Sequence, residues 1–471
     1  YPSSEIKTMA NGNNSNQAFL GISVFGAIFF IFGFATTFIV TLTAPVKAIF
    51  GLSEFGAQLL SSAFFIAYPL MSVPTGKIID RIGYKMTVIA GLILMAIGSF
   101  IFIPAAKLHS FPVFLLGTFV IAVGVVFLQV SANPYVTAIG PAKTASSRLN
   151  LTQALNSIAT MIAPWLISVA IFRGLNLPND DNLITAEQGI MAAERVPLPF
   201  IIMGAIVVLV AIAIYSIKLP VLDKGTGSKK SVWKYPHVVL GGVAIFLYVG
   251  AEVGNAGLIV NYLKQNLGMQ AEMASTYAAI YWGGAMVGRF FGSFMFSEMK
   301  AIRKYMYALP VLALALVSGA FVTEWSWNIG LVFMGIAAIN FIIMQFGRGN
   351  AARTLATFAL VAALLDITTT FTTGSVALWT IISIGLFNSI MFPNIFSLAV
   401  KDLDNAELSG ASGLINALIL GGAILPPLMG GIADTAGYTY AFLVPAVSYL
   451  FIFYYAVSGS KIKRRIESTL K

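Results

Sequence analysis

Residues 17–45 read QAFLGISVFGAIFFIFGFATTFIVTLTAP, a run without a single charged side chain. A charge-free run of about 18 or more residues is long enough to cross a bilayer as a helix, because about 20 residues at 1.5 Å each span the hydrocarbon core. The same property is shared by residues 86–106, 108–142, 149–172 and 196–217. The chain is therefore predicted to be an all-α, polytopic membrane protein.

The composition agrees with this prediction and excludes several classes of chemistry. The chain is 58% hydrophobic and 10% charged, whereas soluble domains carry about 25% charged residues. It has no cysteine, which excludes disulfides, thiol catalysis and thiolate metal sites. The two histidines, His109 and His237, fall in predicted loops, so no His-based metal cluster or catalytic triad is expected. We expect neither an enzyme nor a cofactor.

Hydropathy predicts about fourteen membrane helices, arranged as two bundles. The predicted spans are 18–46, 55–79, 86–106, 111–140, 150–173, 198–217, 238–263, 273–297, 304–323, 327–346, 352–371, 375–400, 409–433 and 438–458. A Gly-, Ser- and Lys-rich linker at 218–237 separates an N-terminal bundle (18–217) from a C-terminal one (238–458). Residues 1–17 are predicted to be a disordered tail without a signal peptide, and 459–471 a basic cytoplasmic tail.

The basic residues predict the orientation of the chain. If the N-terminus is cytoplasmic, all but five of the 28 basic residues fall in cytoplasmic segments, as the positive-inside rule requires. The five exceptions are Lys47, Lys107, Arg173, Arg195 and Lys264. The net charge of +10 is therefore interpreted as a topological signal beside anionic lipid rather than as a nucleic-acid-binding surface. Both termini are predicted to be cytoplasmic.

The loop after the second helix reads GKIIDRIGYK (76–85). It resembles the G-x-x-x-D-R-x-G-x-K/R signature of the major facilitator superfamily. A carboxylate beside a basic cluster at helix ends can latch two bundles together, and glycine permits a tight turn or a close helix approach. The simpler alternative is a solvated loop with topological charges. The predicted gating motif comprises Gly76, Asp80, Arg81, Gly83, Lys85, Gly288 and Arg289.

Two acidic residues lie well inside predicted spans, where burial is costly and usually functional. Glu252 is near the middle of the seventh helix, between small residues, and is predicted to bind or sense a cation. Asp366 is nearer to one end of its helix, where it can snorkel or cap, and a structural role is favoured there.

Polar amides on several helices suggest a polar cavity, because amides donate to and accept from vicinal sugar hydroxyls. Tyr281 and Trp282 add aromatic faces that suit a sugar ring. Helix–helix hydrogen bonding is the alternative reading for each single amide. The predicted substrate-binding residues are Gln129, Asn133, Gln153, Asn156, Asn255, Asn261, Tyr281, Trp282, Asn388 and Asn394.

Several segments, covering most of the chain, resemble the fucose–galactose–glucose cation symporters. They are QVSANPYVT (129–137), RLNLTQALNS (148–157), YWGGAMVGRF (281–290), GLFNSIMFPNIFS (385–397) and GGAILPP (421–427). The glucose/galactose branch has a Gln at the position of Gln129 and a Glu matching Glu252, so the resemblance is to that branch. It implies two six-helix bundles.

Two features depart from the family pattern. The family usually has an Asn-Asp pair in helix 1, whereas FATTFIVTLTAP (34–45) contains no acid. Thr37 and Thr41 are therefore candidate Na⁺ ligands near Glu252, and Na⁺ and H⁺ coupling are equally open. A helix pair at about 303–347 is predicted to be an insertion.

The resemblance implies a secondary active transporter that imports a hexose with Na⁺ or H⁺ by alternating access. An uncoupled facilitator follows instead if the lost helix-1 acid abolishes coupling, and a non-translocating sugar sensor is a third possibility. The expected partners are a small sugar and the lipid bilayer. The protein is expected to be a monomer in a bacterial inner membrane.

Overall fold

The computed structural model describes residues 13–138, 145–175, 184–217, 233–296, 299–401, 403, 411 and 413–461. Within these ranges, the structure describes only the backbone of residues 13–22, 133–134, 137–138, 145–151, 154 and 186. The regular structure of the described residues consists of helices, in agreement with the predicted all-α class. Most of the predicted linker and all but three residues of the predicted basic tail lie outside the described residues.

The first half of the chain contains eight described helices. They are α1 (Asn13–Thr41), α2 (Thr43–Phe50), α3 (Glu54–Phe65), α4 (Ala67–Lys107), α5 (Phe111–Ala138), α6 (Ala145–Ile167), α7 (Ala186–Arg195) and α8 (Pro197–Ser216). Helix α6 continues through a π turn at Ser168–Phe172. Helix α4 is broken at Gly83, whose φ of +81° and ψ of 168° belong to the backbone region that favours glycine. The predicted turn in the signature segment is therefore present.

The second half follows after Tyr235. Its helices are α9 (Pro236–Leu267), α10 (Ala271–Met295), α11 (Ala301–Val322), α12 (Trp327–Gln345), α13 (Ala351–Phe371), α14 (Gly374–Asn388), α15 (Met391–Ala399), α16 (Gly421–Ala436), α17 (Tyr438–Ala441) and α18 (Leu443–Tyr454). A 3₁₀ turn at Leu418–Leu420 precedes α16, and a π turn at Tyr455–Gly459 follows α18.

The helices pack as two bundles that meet along two seams. In the first bundle α4 packs on α5 and α8, and α1 packs on α6. In the second, α9 packs on α16 and α18, α10 on α14, and α13 on α14 and α18. The bundles meet where α3 packs on α16 and α6 packs on α10. Helices α11 and α12 pack on each other and on α10, outside this arrangement, as an inserted pair would.

Twelve segments of the described residues are long and apolar enough to cross a membrane, so the predicted count of fourteen is not confirmed. The difference has two sources. The segment Glu54–Lys107 is counted once although 54 residues measure about 80 Å as a helix, far more than one crossing. Helix α10 is not among the twelve, although it belongs to the second bundle and packs on α6 of the first.

Helical structure also appears in two segments that the sequence prediction leaves without it. Helix α1 begins at Asn13, so part of the predicted disordered tail is helical. Helix α7 was predicted as loop. Its start is fixed by a capping box, in which the Thr185 hydroxyl accepts from the backbone N–H of Gln188 and the Gln188 side chain accepts from the N–H of Thr185.

Candidate functional site

A buried carboxylate, Glu54, joins the two bundles at one end of the seam between α3 and α16. Its Oε2 lies 3.3 Å from Lys47 Nζ and accepts hydrogen bonds from Tyr438 Oη at 2.7 Å and Asn261 Nδ2 at 3.0 Å. Lys47 also donates to Tyr438 Oη at 2.7 Å. Glu54 is fully buried and Lys47 is 7% exposed. An ion pair buried this deeply depends on every one of these bonds to offset its desolvation.

Two further contacts complete this network. Asp434 of α16 accepts from the backbone N–H groups of Glu54 and Phe55 at 2.7 and 2.9 Å, where its negative charge meets the positive N-terminus of α3. Gln58 donates to Glu54 Oε1 at 3.0 Å. We call the whole set the clasp; it comprises Lys47, Glu54, Gln58, Asn261, Asp434 and Tyr438. It ties α2 and α3 of the first bundle to α9, α16 and α17 of the second.

Glycines let the backbones approach closely at the clasp. A Cβ at Gly430 of α16 would lie 2.8 Å from the backbone of Glu54, and one at Gly257 of α9 would lie 2.5 Å from Gln58 Oε1. Real Cβ atoms do not make contacts this short. At Gly430 the contacted atoms are backbone, so a side chain there would push the bundles apart, whereas at Gly257 the end of the Gln58 side chain would have to move. Thr43 Oγ1 donates to the carbonyl of Gly257 at 3.0 Å, which fixes the same approach.

A second polar group lies on the other seam, deeper in the molecule. Arg289 of α10 donates to Ser157 Oγ of α6 at 2.8 Å, which again connects the bundles. The positive charge of Arg289 also acts on the carboxylate of Glu252 in α9. Glu252 is 8% exposed, and its Oε1 has no hydrogen-bond partner among the described residues. A buried carboxylate beside a cation and with one free acceptor can bind a hydroxyl donor.

Helix periodicity places further side chains around this pair. Gln153, Ser157 and Met161 are four residues apart on one face of α6, and Met161 contacts Gly283 of α10. Trp282 is two turns before Arg289 and therefore shares its face of α10. Its indole N–H is buried without a partner in the described residues. These residues form what we call the central site: Gln153, Ser157, Glu252, Trp282 and Arg289.

Comparison with known proteins shows where this architecture belongs. Residues 24–347 match the model of the Major Facilitator Superfamily. The chain is 37% identical over 441 residues to the glucose/galactose transporter of Brucella abortus, covering 92% of each chain. It is 32% identical to a putative glucose/galactose transporter of Helicobacter pylori, covering 94% of this chain and 97% of that protein. The chain belongs to the Major Facilitator Superfamily. Within it, the chain belongs to the fucose–galactose–glucose cation symporters.

A solved structure of this superfamily has the same fold. The superfamily transporter FucP in the outward conformation aligns with a TM-score of 0.62 at 27% identity, covering 93% of this chain and 98% of that one. The superfamily assignment confirms the family resemblance stated from the sequence motifs. It also confirms that the chain is a transporter rather than an enzyme, and a multi-pass membrane protein.

The structure gives several of the predicted sugar-binding amides partners inside the protein. Asn156 donates to the carbonyl of Phe29 at 2.9 Å, which joins α6 to α1. Asn388 donates to Tyr281 Oη at 2.9 Å and accepts from Tyr449 Oη at 2.7 Å. Tyr281 Oη in turn donates to the carbonyl of Glu252 at 3.2 Å. These side chains hold helices together in this conformation, as the alternative reading of single amides proposed.

Three more of the predicted amides are placed elsewhere. Asn394 donates to the carbonyl of Ala351 at 3.3 Å, between α15 and α13. Asn261 belongs to the clasp. Gln129 is half-buried on α5 and interacts with Tyr68 of α4. The side chain of Asn133 lies outside the described residues.

The threonines proposed as Na⁺ ligands are buried in α1, at 1% exposure each. The hydroxyl of Thr41 has no partner among the described residues. Neither Thr37 nor Thr41 forms a hydrogen bond with Glu252 in the described part of the chain. A Na⁺ site made of these three residues stays a prediction.

The superfamily signature has roles within its own bundle. Lys85 Nζ donates to the carbonyls of Tyr215 and Ile217 at 2.8 and 2.7 Å, where it neutralises the C-terminus of α8. A Cβ at Gly76 would meet nothing within 4 Å, so the predicted close helix approach is not found there. At Gly288 it is found, because a Cβ there would overlap the side chain of Ser389.

Sequence reasoning missed most of the clasp. In the sequence prediction, Lys47 is an exception to the positive-inside rule and Glu54 falls in a loop. Neither Asp434 nor Tyr438 is among the candidate site residues. The only signal is a pair of opposite charges seven residues apart in a short apolar connection. Which helices bury them depends on contacts between residues 380 or more positions apart.

Replacing Gly430 with Val is expected to weaken the packing of α3 on α16 at the end of the seam where the clasp lies. Overpacking against rigid backbone costs about 1–3 kcal/mol, so the seam between α3 and α16 should open about tenfold more often. The chain has no cysteine, so a single Ser62→Cys probe reports on this seam; Ser62 Oγ donates to the carbonyl of Ala423 across it. Alkylation of the probe by a membrane-impermeant maleimide should accelerate about tenfold.

The neighbouring glycine supplies a matched control. A Cβ at Gly431 would meet only Phe55 Cδ2, at an ordinary 3.7 Å, so Gly431→Val should leave alkylation within about twofold of the parent. Equal acceleration in both variants would show that the close approach at Gly430 does not hold the seam shut.

Proposed function

We propose that this chain imports a hexose of the glucose or galactose type together with a cation, by alternating access of one central site to the two sides of a bacterial inner membrane. The proposal depends on the two interactions of Arg289. Its positive charge acts on the carboxylate of Glu252, and its guanidinium donates a hydrogen bond to Ser157 of the opposite bundle. A sugar bound there competes for groups that hold the bundles together, so its binding and the bundle arrangement depend on each other. A hexose substrate is supported by the names of the relatives, which are glucose/galactose transporters.

The central site suits a small polyhydroxylated ring. Glu252 Oε1 is an unpartnered acceptor, the Trp282 indole is an unpartnered donor with a flat apolar face, and Gln153 offers both functions. Half-buried Gln129 extends the polar set towards α5. The amides of Asn156 and Asn388 hydrogen-bond to protein atoms and hold the helices around the site together.

The clasp defines one of the two alternating states. It closes the bundles at the end that carries Lys47 and Glu54, and the distribution of basic residues supports an outer position for this end. We propose that this conformation is closed to the outside, and that the clasp separates when the transporter faces outwards. The coupling cation is Na⁺ or H⁺.

Exchange of sugar across a membrane tests the proposal. The purified protein is placed in liposomes preloaded with unlabelled glucose or galactose, and entry of the labelled sugar is followed. Rapid exchange that the unlabelled sugar inhibits is the expected result. Binding of sugar to the protein without exchange would overturn transport and leave a sensor.

Replacing Glu252 with Gln is expected to abolish concentrative uptake and to reduce sugar exchange by at least about tenfold. The change removes a charge-assisted hydrogen bond to the sugar, worth about 1.5–3 kcal/mol, and leaves Arg289 without the carboxylate on which it acts. Uptake and exchange in liposomes measure both effects. Full concentrative uptake by the Gln variant would refute a role of Glu252 in coupling.

A further inference from the structure

A second intramembrane acid lies apart from the central site. Asp366 of α13 is fully buried, and neither carboxylate oxygen has a hydrogen-bond partner among the residues that the structure describes. The amide of Asn255, on α9, lies beside it. Asn255 is also fully buried, and its Oδ1 and Nδ2 likewise lack partners that meet hydrogen-bond distance and angle. Buried polar groups are nearly always hydrogen-bonded, so an acid and an amide that lie side by side with these four atoms unsatisfied require an explanation.

Within the described ranges, no positive charge compensates the carboxylate of Asp366. The titratable groups that act together with it are Tyr281 of α10 and Tyr449 of α18, both of which are neutral phenols at physiological pH. No lysine, arginine or histidine in the described part of the chain forms an ion pair with it. Glu252 differs, because Arg289 acts on it. An ionised, unpaired carboxylate is not stable in such a place and becomes neutral instead.

A single proton satisfies all four atoms at once. A neutral carboxyl group donates its O–H to Asn255 Oδ1 and accepts the N–H of Asn255 Nδ2, so the acid and the amide form a closed pair. An ionised carboxylate accepts only, and leaves Asn255 Oδ1 facing negative oxygens.

A metal cation fits less well, because it requires several oxygen ligands around one point. The neighbouring oxygens are engaged: Thr370 Oγ1 donates to the backbone carbonyl of Asp366, and Asn388 Oδ1 accepts from Tyr449.

We propose that Asp366, paired with Asn255, is a proton-binding site that couples sugar transport to the proton gradient. The carboxylate takes up one H⁺ from water, an O–H bond forms, and the group changes from negative to neutral; release reverses this. The inference rests on the proposed transport function and adds the identity and position of the coupling ion. It assigns to α13 the acid that is lacking in helix 1.

The position of Asn255 connects this proton to the sugar. Asn255 is three residues after Glu252, so both side chains lie on neighbouring positions of α9. Tyr281 contacts the same turn through the carbonyl of Glu252. A proton on Asp366 fixes Asn255, and with it the turn of α9 that presents Glu252. Proton uptake and release at Asp366 therefore act on the same turn of α9 as sugar binding.

The test compares the parent with Asp366→Asn, an isostere of the neutral acid that should fold. In liposomes, the variant is expected to exchange sugar within about twofold of the parent but to lose accumulation driven by a pH gradient. Asn340→Leu is the matched control, because Asn340 of α12 is buried with both side-chain atoms unpartnered yet lies in the inserted helix pair. It should accumulate sugar like the parent.

Infrared absorption gives a readout that does not depend on transport. The parent should show a carbonyl band of a protonated carboxyl group that disappears in Asp366→Asn and shifts in Asn255→Leu, which removes its partner. Identical bands in the parent and Asp366→Asn would overturn the proposal.

Transport outcomes separate the two claims. If the parent accumulates sugar under a pH gradient and Asp366→Asn does so equally, the proton site is refuted and the proposed function stands. Accumulation under a Na⁺ gradient alone also refutes the proton site. A parent that exchanges no sugar refutes the proposed function, and the infrared bands then decide whether Asp366 holds a proton.

Discussion

Replacing Glu54 with Gln is expected to shift the transporter strongly towards the conformation that is open at the clasp. Glu54 is fully buried and compensates Lys47, which is itself 7% exposed. Breaking a buried ion pair on one side costs about 3–5 kcal/mol, because the remaining charge is left unpaired in the interior. Opening of the bundles returns Lys47 to water and relieves this cost. The ratio of open to closed molecules should rise by about 100-fold or more, since each 1.4 kcal/mol corresponds to a factor of ten.

Alkylation of the Ser62→Cys probe in intact cells measures this shift. The matched control is Glu324→Gln, which breaks the ion pair between Arg173 and Glu324 at the edge of the inserted helix pair. The carboxylate there is 73% exposed, and exposed pairs contribute about 0–1 kcal/mol. Its alkylation rate should stay within about fivefold of the parent. A Glu54→Gln rate no higher than that of the control would mean that the clasp does not hold the closed conformation.

Replacing Arg289 with Leu is expected to reduce sugar exchange by about 100-fold. The substitution removes the hydrogen bond to Ser157 across the bundle seam and the positive charge that acts on Glu252. A buried carboxylate without its cation is destabilised, and the site loses its connection between bundles. Exchange of labelled glucose in liposomes measures the loss.

Two companion variants separate the contributions of charge and hydrogen bond. Ser157→Ala removes only the hydrogen bond and should cost less, about tenfold at most. The double variant Arg289→Leu with Glu252→Gln removes both charges. It should yield more folded, monodisperse protein than Arg289→Leu alone. A double-mutant cycle on these variants quantifies the interaction between the two side chains. Exchange by Arg289→Leu within about twofold of the parent would contradict the role given to the central site.

The membrane class, the two-bundle fold and the family were all accessible from the sequence. Charge-free runs such as residues 17–45 indicate membrane helices. Charged side chains are costly in hydrocarbon, and a helix in water does not need an apolar run of that length. The signature segment 76–85 and the motif YWGGAMVGRF (281–290) then selected the superfamily. The insertion of the helix pair at about 303–347 stays a prediction; in the structure, α11 and α12 pack on each other and on α10.

The roles of individual polar residues were not accessible to the same degree. Asn156 and Gln153 are three residues apart, yet one bonds to α1 and the other faces the seam with α10. A rotation of about 60° about the helix axis separates those roles, and hydropathy does not fix it in a helix that is polar on two sides. The sequence prediction gives Asp366 a capping or snorkelling role because it lies nearer to one end of its helix. Its lack of an ion pair among the described residues is a tertiary property that the sequence does not show.

The most direct test of the central claim is accumulation of labelled glucose or galactose by liposomes that contain the purified protein, with a pH gradient in one set and a Na⁺ gradient in another. The account predicts that the inside concentration of sugar rises above the outside concentration under the pH gradient, and that a protonophore abolishes the rise. Sugar that equilibrates without exceeding the outside concentration under either gradient would contradict symport and leave a facilitator.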